Sequence, residues 1–136
     1  MLGMLRSKRV VARWFLVVLY GLAGVLHLAL PAPFIGITPG WVPDPALMIA
    51  VTGLCEIAGA VALAQGRWPG LRRAAGVALA LYALCVWPAN IHHMMMDLAR
   101  PDHGLGYGYH LPRMVAQPVL IFLALWCSKS PDQTEG

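Results

Sequence analysis

Glu56 lies near the middle of an apolar stretch from Ala46 to Ala64, and His27, Asn90, Arg113 and Gln117 interrupt or border the other apolar stretches of the chain. A carboxylate, a guanidinium, an imidazole and two carboxamides can form a buried ion pair, hold a polar head group or relay a proton. A charge at the centre of a membrane helix costs about 2.5 to 3.5 kcal/mol, while each Leu, Ile or Val returns only about 0.3 to 0.6. The Ala46–Ala64 stretch therefore barely balances its acid and needs neighbours that accept it. Two compatible readings follow. Glu56, Arg113, Gln117 and Asn90 form a hydrogen-bonded knot that fixes helix register, or they line a small cavity where a ligand or proton exchanges.

A second group begins just after Asn90, at Ile91-His92-His93-Met94-Met95-Met96-Asp97, and continues through Asp102, His103 and His110. Imidazole with thioether suits copper, so His92, His93, Met94, His103 and His110 are candidate metal ligands. Their spacing matches no defined ligand motif, and Met94 to Met96 complete an apolar span equally well. No Gly-rich phosphate loop is present, nor a Ser/His/Asp or paired-carboxylate hydrolase pattern, and the glycines of Gly104 to Gly108 read as turn material. The three cysteines, Cys55, Cys85 and Cys127, fall singly in separate apolar segments. That spacing disfavours a dithiol site; Cys55 and Cys85 could meet at similar depth, but small apolar packing is the better reading.

The elements that carry these residues follow from composition. The chain is 59% hydrophobic and 12% charged, with a mean hydropathy of +0.65, whereas soluble domains carry about a quarter charged residues. This is an all-α integral membrane protein, and its length accommodates four spans of about 20 residues with short connections. The spans read as Trp14 to Leu30, Ala46 to Ala64, Ala74 through Pro88 to Met96, and Leu111 to Trp126. Pro112 is expected in the first turn of the last, where its missing N–H costs nothing. The first run is too long for a signal peptide and closes with Leu30-Pro31 instead of a small-residue cleavage site. The organisation is then a basic N-terminus (1–13), a transmembrane domain (14–127) and a polar tail (128–136) expected to fray. The connections are Pro31 to Pro45, Gln65 to Arg73 and Asp97 to His110.

The net charge of +4 is spread over span ends and not gathered into a patch interleaved with aromatics, which argues topology and against nucleic-acid binding. Arg6, Lys8, Arg9 and Arg13, then Arg67, Arg72 and Arg73, then Lys129 mark one side. The positive-inside rule makes both termini cytoplasmic, in the cytoplasmic (inner) membrane. Trp14, Trp68 and Trp126 fall at the expected inner boundary, and Trp41, Tyr107 and Tyr109 at the outer one.

Counting about 1.5 Å per residue places His27, Asn90, His93, Arg113 and Gln117 in the outer leaflet, with Glu56 below them. Thr52, Gly53, Glu56, Gly59 and Ala60 share a face of small or polar residues suited to close helix packing. Tyr20, Gly24 and His27 share another, Arg113 and Gln117 project together, and Trp87, Asn90 and His93 form a third set. His92 diverges from His93 by about 100° and should face head groups or another chain. Pro88 and Pro118 each remove a helix hydrogen bond beside this cluster.

His27-Leu28-Ala29-Leu30-Pro31, Phe34-Ile35, Thr38-Pro39-Gly40-Trp41-Val42-Pro43 and Gly53-Leu54-Cys55-Glu56-Ile57-Ala58-Gly59 resemble the first half of DoxX-like membrane proteins. Trp87-Pro88-Ala89-Asn90-Ile91 and Leu111-Pro112-Arg113 with Gln117 resemble the second half, so the likeness runs from about Trp14 to Trp126. The resemblance implies a four-helix bundle, in a family named after a membrane subunit associated with thiosulfate:quinone oxidoreductase. Related folds occur in membrane-protein assembly and cargo factors. Carried over residue by residue, it points to His27, Glu56, Asn90, Arg113 and Gln117. The His- and Met-rich run after Asn90 and the Pro118 that follows Gln117 depart from the pattern.

The expectation is therefore a small membrane subunit or accessory protein of a redox system, not a stand-alone enzyme and with no catalytic residue assigned. Its ligand-binding set is Glu56, Arg113, Gln117, Asn90, His27, Trp87 and His93, with a quinone as the cofactor this raises. Arg113 and Gln117 would hold a polar head, Glu56 would pair with Arg113 or relay a proton, and Trp87 would pack against a ring. Its partners would be the lipid bilayer and membrane or redox subunits. The alternatives are transport or handling of a small molecule or copper, and a non-enzymatic assembly factor.

Overall fold

A computed structural model describes residues 1–129, and the expected fraying of the tail falls largely on residues 130–136, outside the described residues. The described residues fold into five helices, α1 (Leu2–Ala29), α2 (Ala32–Gly36), α3 (Pro45–Ala64), α4 (Pro69–Leu98) and α5 (Gly106–Cys127), with no strand among them. Four of these, all but α2, are long and apolar enough to cross a membrane. The protein is thus all-α, with the four long helices packed α1 on α3, α3 on α4, α4 on α5 and α5 back on α1.

Local chemistry sets the helix starts. Pro45 and Pro69 open α3 and α4, where a proline's fixed φ helps and its missing N–H is no loss. Asp44 caps α3 by accepting from the Leu47 N–H at 3.1 Å. Three helix starts differ from the sequence reading, the first being α1, which begins at Leu2 and not at Trp14 and so takes in the basic N-terminal residues. Helix α4 begins at Pro69 and not at Ala74, and α5 begins at Gly106, so Pro112 lies inside the helix and not in its first turn. The expected connection from Asp97 to His110 contracts to Ala99–Leu105, and only part of its glycine run is turn. The cause is Asp97, whose carboxylate accepts the Leu105 N–H at 3.0 Å and so draws the start of α5 onto the end of α4.

Polarity is inverted relative to a soluble domain. Val18, Leu22, Leu54, Val61, Leu81 and Phe122 are all more than half exposed, whereas Glu56, Asp97, His110 and Gln117 are buried. Large apolar side chains facing out and ionisable ones facing in is the arrangement a bilayer imposes, because lipid offers no hydrogen bonds. Leu16, Tyr20, Ala60, Leu63, Leu79 and Ala124 form much of the apolar interior, on the side of Glu56 away from Asn90 and Arg113.

Small residues bring the helices close. A Cβ on Gly24 would stand 2.6 Å from the Gly53 carbonyl oxygen, and one on Gly53 would stand 2.9 Å from the His27 Cβ. Only glycine at both positions lets α1 and α3 meet backbone to backbone. The next turn of each helix then carries His27 and Glu56 into contact.

Candidate functional site: two buried polar groups in the bundle

Glu56 projects from the small-residue face of α3 and is only 4% exposed. His27 Nδ1 from α1 lies 2.5 Å from its Oε2, and the Tyr82 hydroxyl from α4 donates to its Oε1 at 2.7 Å. Both carboxylate oxygens are therefore engaged, from two different helices. The proton between His27 and Glu56 can reside on either partner, since imidazole and carboxyl each serve as donor or acceptor. The Tyr20 ring meets Tyr82 edge-on with centroids 6.1 Å apart, and the edge of Phe34 from α2 meets His27 at 4.2 Å.

A second group sits where α4 runs into α5. Arg113 donates one guanidinium N–H to Asn90 Oδ1 and another to His93 Nδ1 at 3.1 Å, while the guanidinium lies 5.0 Å from the Tyr109 ring centroid. His110, fully buried, has its Nε2 2.9 Å from Asp97 Oδ2. His93 Nε2 is 3.6 Å from the same oxygen, and the His93 and His110 rings meet edge-on at 4.9 Å. Beyond them opens a cleft of about 670 Å³ lined by His93, Asp97, Arg100 and Asp102, with Gly36 and Ile37 opposite. Asp102 lies outside the spans, where the Gly104 N–H and then the Arg100 charge hold its carboxyl below the usual carboxylate range.

The structure thus divides the expected cluster in two. His27 and Glu56 come together, as do Asn90, His93 and Arg113, but the expected Glu56–Arg113 pair does not form. Glu56 is level with Tyr82, and Asn90, which holds Arg113, is eight residues further along α4, about 12 Å of helix rise. Trp87 lies between these levels on α4, and Gln117 lies one turn from Arg113 in the same direction on α5. Among the described residues, Trp87 Nε1, Gln117 Oε1 and the Tyr20 hydroxyl are buried without a hydrogen-bond partner.

Of the candidate metal ligands, His93 and His110 converge on Asp97. His92 and Met94 do not join them, and His103 turns away to the Leu98 carbonyl at 3.2 Å. The cysteines are all free, which leaves no Cys55–Cys85 bond. Sequence reasoning missed two site residues, Tyr82 and Asp97. Tyr82 is a hydroxyl in mid-span, a signal of the same kind as Glu56. Asp97 is four residues after His93 and seven after Asn90, the spacing of one helix face, and was hidden by its assignment to a loop.

No curated protein and no solved structure matches the chain. A family model described as a domain of unknown function, DUF8561, matches residues 16–128, which include both polar groups. By that match, which takes in all but the two ends of the chain, the protein belongs to the DUF8561 family.

Proposed function

We propose that this protein is a DoxX-like membrane subunit of a redox system that holds the head group of a quinone, or of a similar small ligand, between its two buried polar groups. In this reading it lies in the cytoplasmic membrane with both termini inside, and the α4–α5 connection faces out. The observation that carries it is the pair of orphaned atoms at Trp87 and Gln117. A buried polar group without a partner calls for an explanation, and here one donor and one acceptor lie between Asn90–Arg113 and Glu56–Tyr82. A quinone head offers carbonyls to the indole N–H, and its reduced form offers a hydroxyl to the Gln117 carbonyl.

A quinone would supply two-electron, two-proton redox chemistry. The chain's own contribution is to exclude water, to orient the ring by Trp87 and Gln117, and to keep a proton mobile at Glu56. The His27–Glu56 contact supports that last role, because a short bond between an imidazole and a carboxyl can pass a proton without moving a helix. Arg113 is held at the far side of this level by Asn90 and His93, so in this account it screens the site and does not pair with Glu56.

The reading is tested by titrating detergent-purified protein with a short-tailed quinone and following the heat of binding. Saturable binding is expected, weakened at least several-fold by Trp87→Phe or Gln117→Leu. Absence of saturable heat, or binding indifferent to both substitutions, contradicts it.

A further inference from the structure

We propose that His93, Asp97 and His110 form a binding site for a divalent transition-metal cation that enters through the cleft at the α4–α5 connection. This goes beyond the quinone reading and does not depend on it, since Asp97 and His110 belong neither to the Glu56 group nor to the level of Trp87 and Gln117.

The first argument is geometric. Each residue offers one ligand atom, and the atoms all lie within 4.8 Å of one another. The separations from Asp97 Oδ2 are 2.9 Å to His110 Nε2 and 3.6 Å to His93 Nε2. Metal bonds of about 2.0 to 2.1 Å in a tetrahedron place neighbouring ligands about 3.3 Å apart. The two Asp97 distances bracket that value, and the two imidazoles, within 4.8 Å of each other, reach it by side-chain rotation.

The second argument is that the carboxylate is oriented from behind. The Leu105 N–H donates to the same Oδ2 at 3.0 Å, and Gly104, at φ 51°, lies so close that a Cβ there would stand 2.5 Å from the Asp97 Cγ. The connection is thus wrapped onto the acid, and outer bonds of this kind hold metal ligands in place. The third is access, since His93 and Asp97 line the open cleft while His110 closes the inner wall at zero exposure.

The hydrogen bonds define what loading requires. Arg113 donates to His93 Nδ1, so a neutral His93 carries its proton on Nε2, facing Asp97. His110 donates from Nε2 to Asp97 and leaves its buried Nδ1 without a partner among the described residues. A cation on the two Nε2 atoms moves each ring's proton to Nδ1. At His110 that atom is free to take it. At His93 Arg113 must let go, and it keeps its second bond, to Asn90. Arg113 therefore opposes loading, both by its charge and by its hydrogen bond.

Two imidazoles and a carboxylate suit zinc or copper(II) better than magnesium or calcium, and the absence of sulfur from the three ligands points away from copper(I). A fourth position remains for water or a further ligand from the cleft.

The test is calorimetric titration of tag-free, detergent-purified protein with Zn²⁺. One cation per chain is expected. Asp97→Asn and His110→Gln should each weaken it by at least about tenfold, His92→Gln and His103→Gln should leave it unchanged, and Arg113→Met should tighten it. Absence of stoichiometric Zn²⁺ binding to wild type, or an equal loss in His92→Gln, overturns the proposal. Co²⁺ added to wild type provides a readout that needs no variant. Visible ligand-field bands of a low-coordinate nitrogen and oxygen site that Zn²⁺ abolishes support it, and their absence overturns it.

Discussion

His27 Nδ1 stands 2.5 Å from Glu56 Oε2 across the closest approach of α1 and α3. The contact exists because Gly24 and Gly53, one turn away, let the two backbones touch. A carboxylate that would burden α3 alone is thereby shared among three helices, with Tyr82 as the other donor. The bundle is cross-linked at the level where a single helix would be least stable in lipid.

Removing one donor leaves a buried carboxylate oxygen unsatisfied, at a cost of about 1–3 kcal/mol. Tyr82→Phe is expected to lower stability by that amount, and Tyr82→Phe combined with Glu56→Leu by less than the sum of the single changes. Thermal unfolding in detergent checks this. Strict additivity would mean that Tyr82 and Glu56 do not interact.

Gly53→Ala places a methyl group against His27 and the Gly24 carbonyl. Overpacking of this kind costs about 1–3 kcal/mol, and it should also part His27 from Glu56. Gly70→Ala, where an added Cβ meets nothing within 4 Å, is the control expected to be neutral in the same melting experiment.

Arg113→Lys should behave like Arg113→Met toward stability. The guanidinium bonds Asn90 and His93 at once while lying near the Tyr109 ring, and a compact ammonium cannot reproduce that planar fork. Full retention of stability by the lysine variant would show that charge alone matters at this position.

Gly104→Ala is expected to loosen the α4–α5 connection, because φ is 51° there and the new methyl group would meet the Asp97 carboxylate. Limited proteolysis should cut the variant within Ala99–Leu105 faster than wild type. Unchanged protection would separate the loop's order from Asp97.

How far the site was legible in the sequence depends on what each residue had to reveal. The spans were readable because lipid demands long apolar runs, and His27, Glu56, Asn90 and Arg113 stood out because polar groups are costly there. The faces of α1 and α3 were readable too, through Gly24 and Gly53. Partner choice was not. Glu56 and Arg113 are opposite charges at what counting along each span makes similar depths, but α3 and α5 do not pack on one another in the ring of helices and α4 rises about 12 Å between Tyr82 and Asn90, a separation that emerges only once the helices' relative positions are known. Asp97 was misread because its local sequence is loop-like. Its tie to Leu105 and His110 is tertiary, and that tie is what extends α4 and starts α5 at Gly106.

The central claim, a redox ligand held between the two polar groups, meets its most direct test in lipid extracts of protein purified under mild detergent from its native membrane. The account predicts about one quinone per chain, lost on Gln117→Leu with the fold retained. A wild-type extract holding no more quinone than an unrelated membrane protein prepared alongside it would contradict the account.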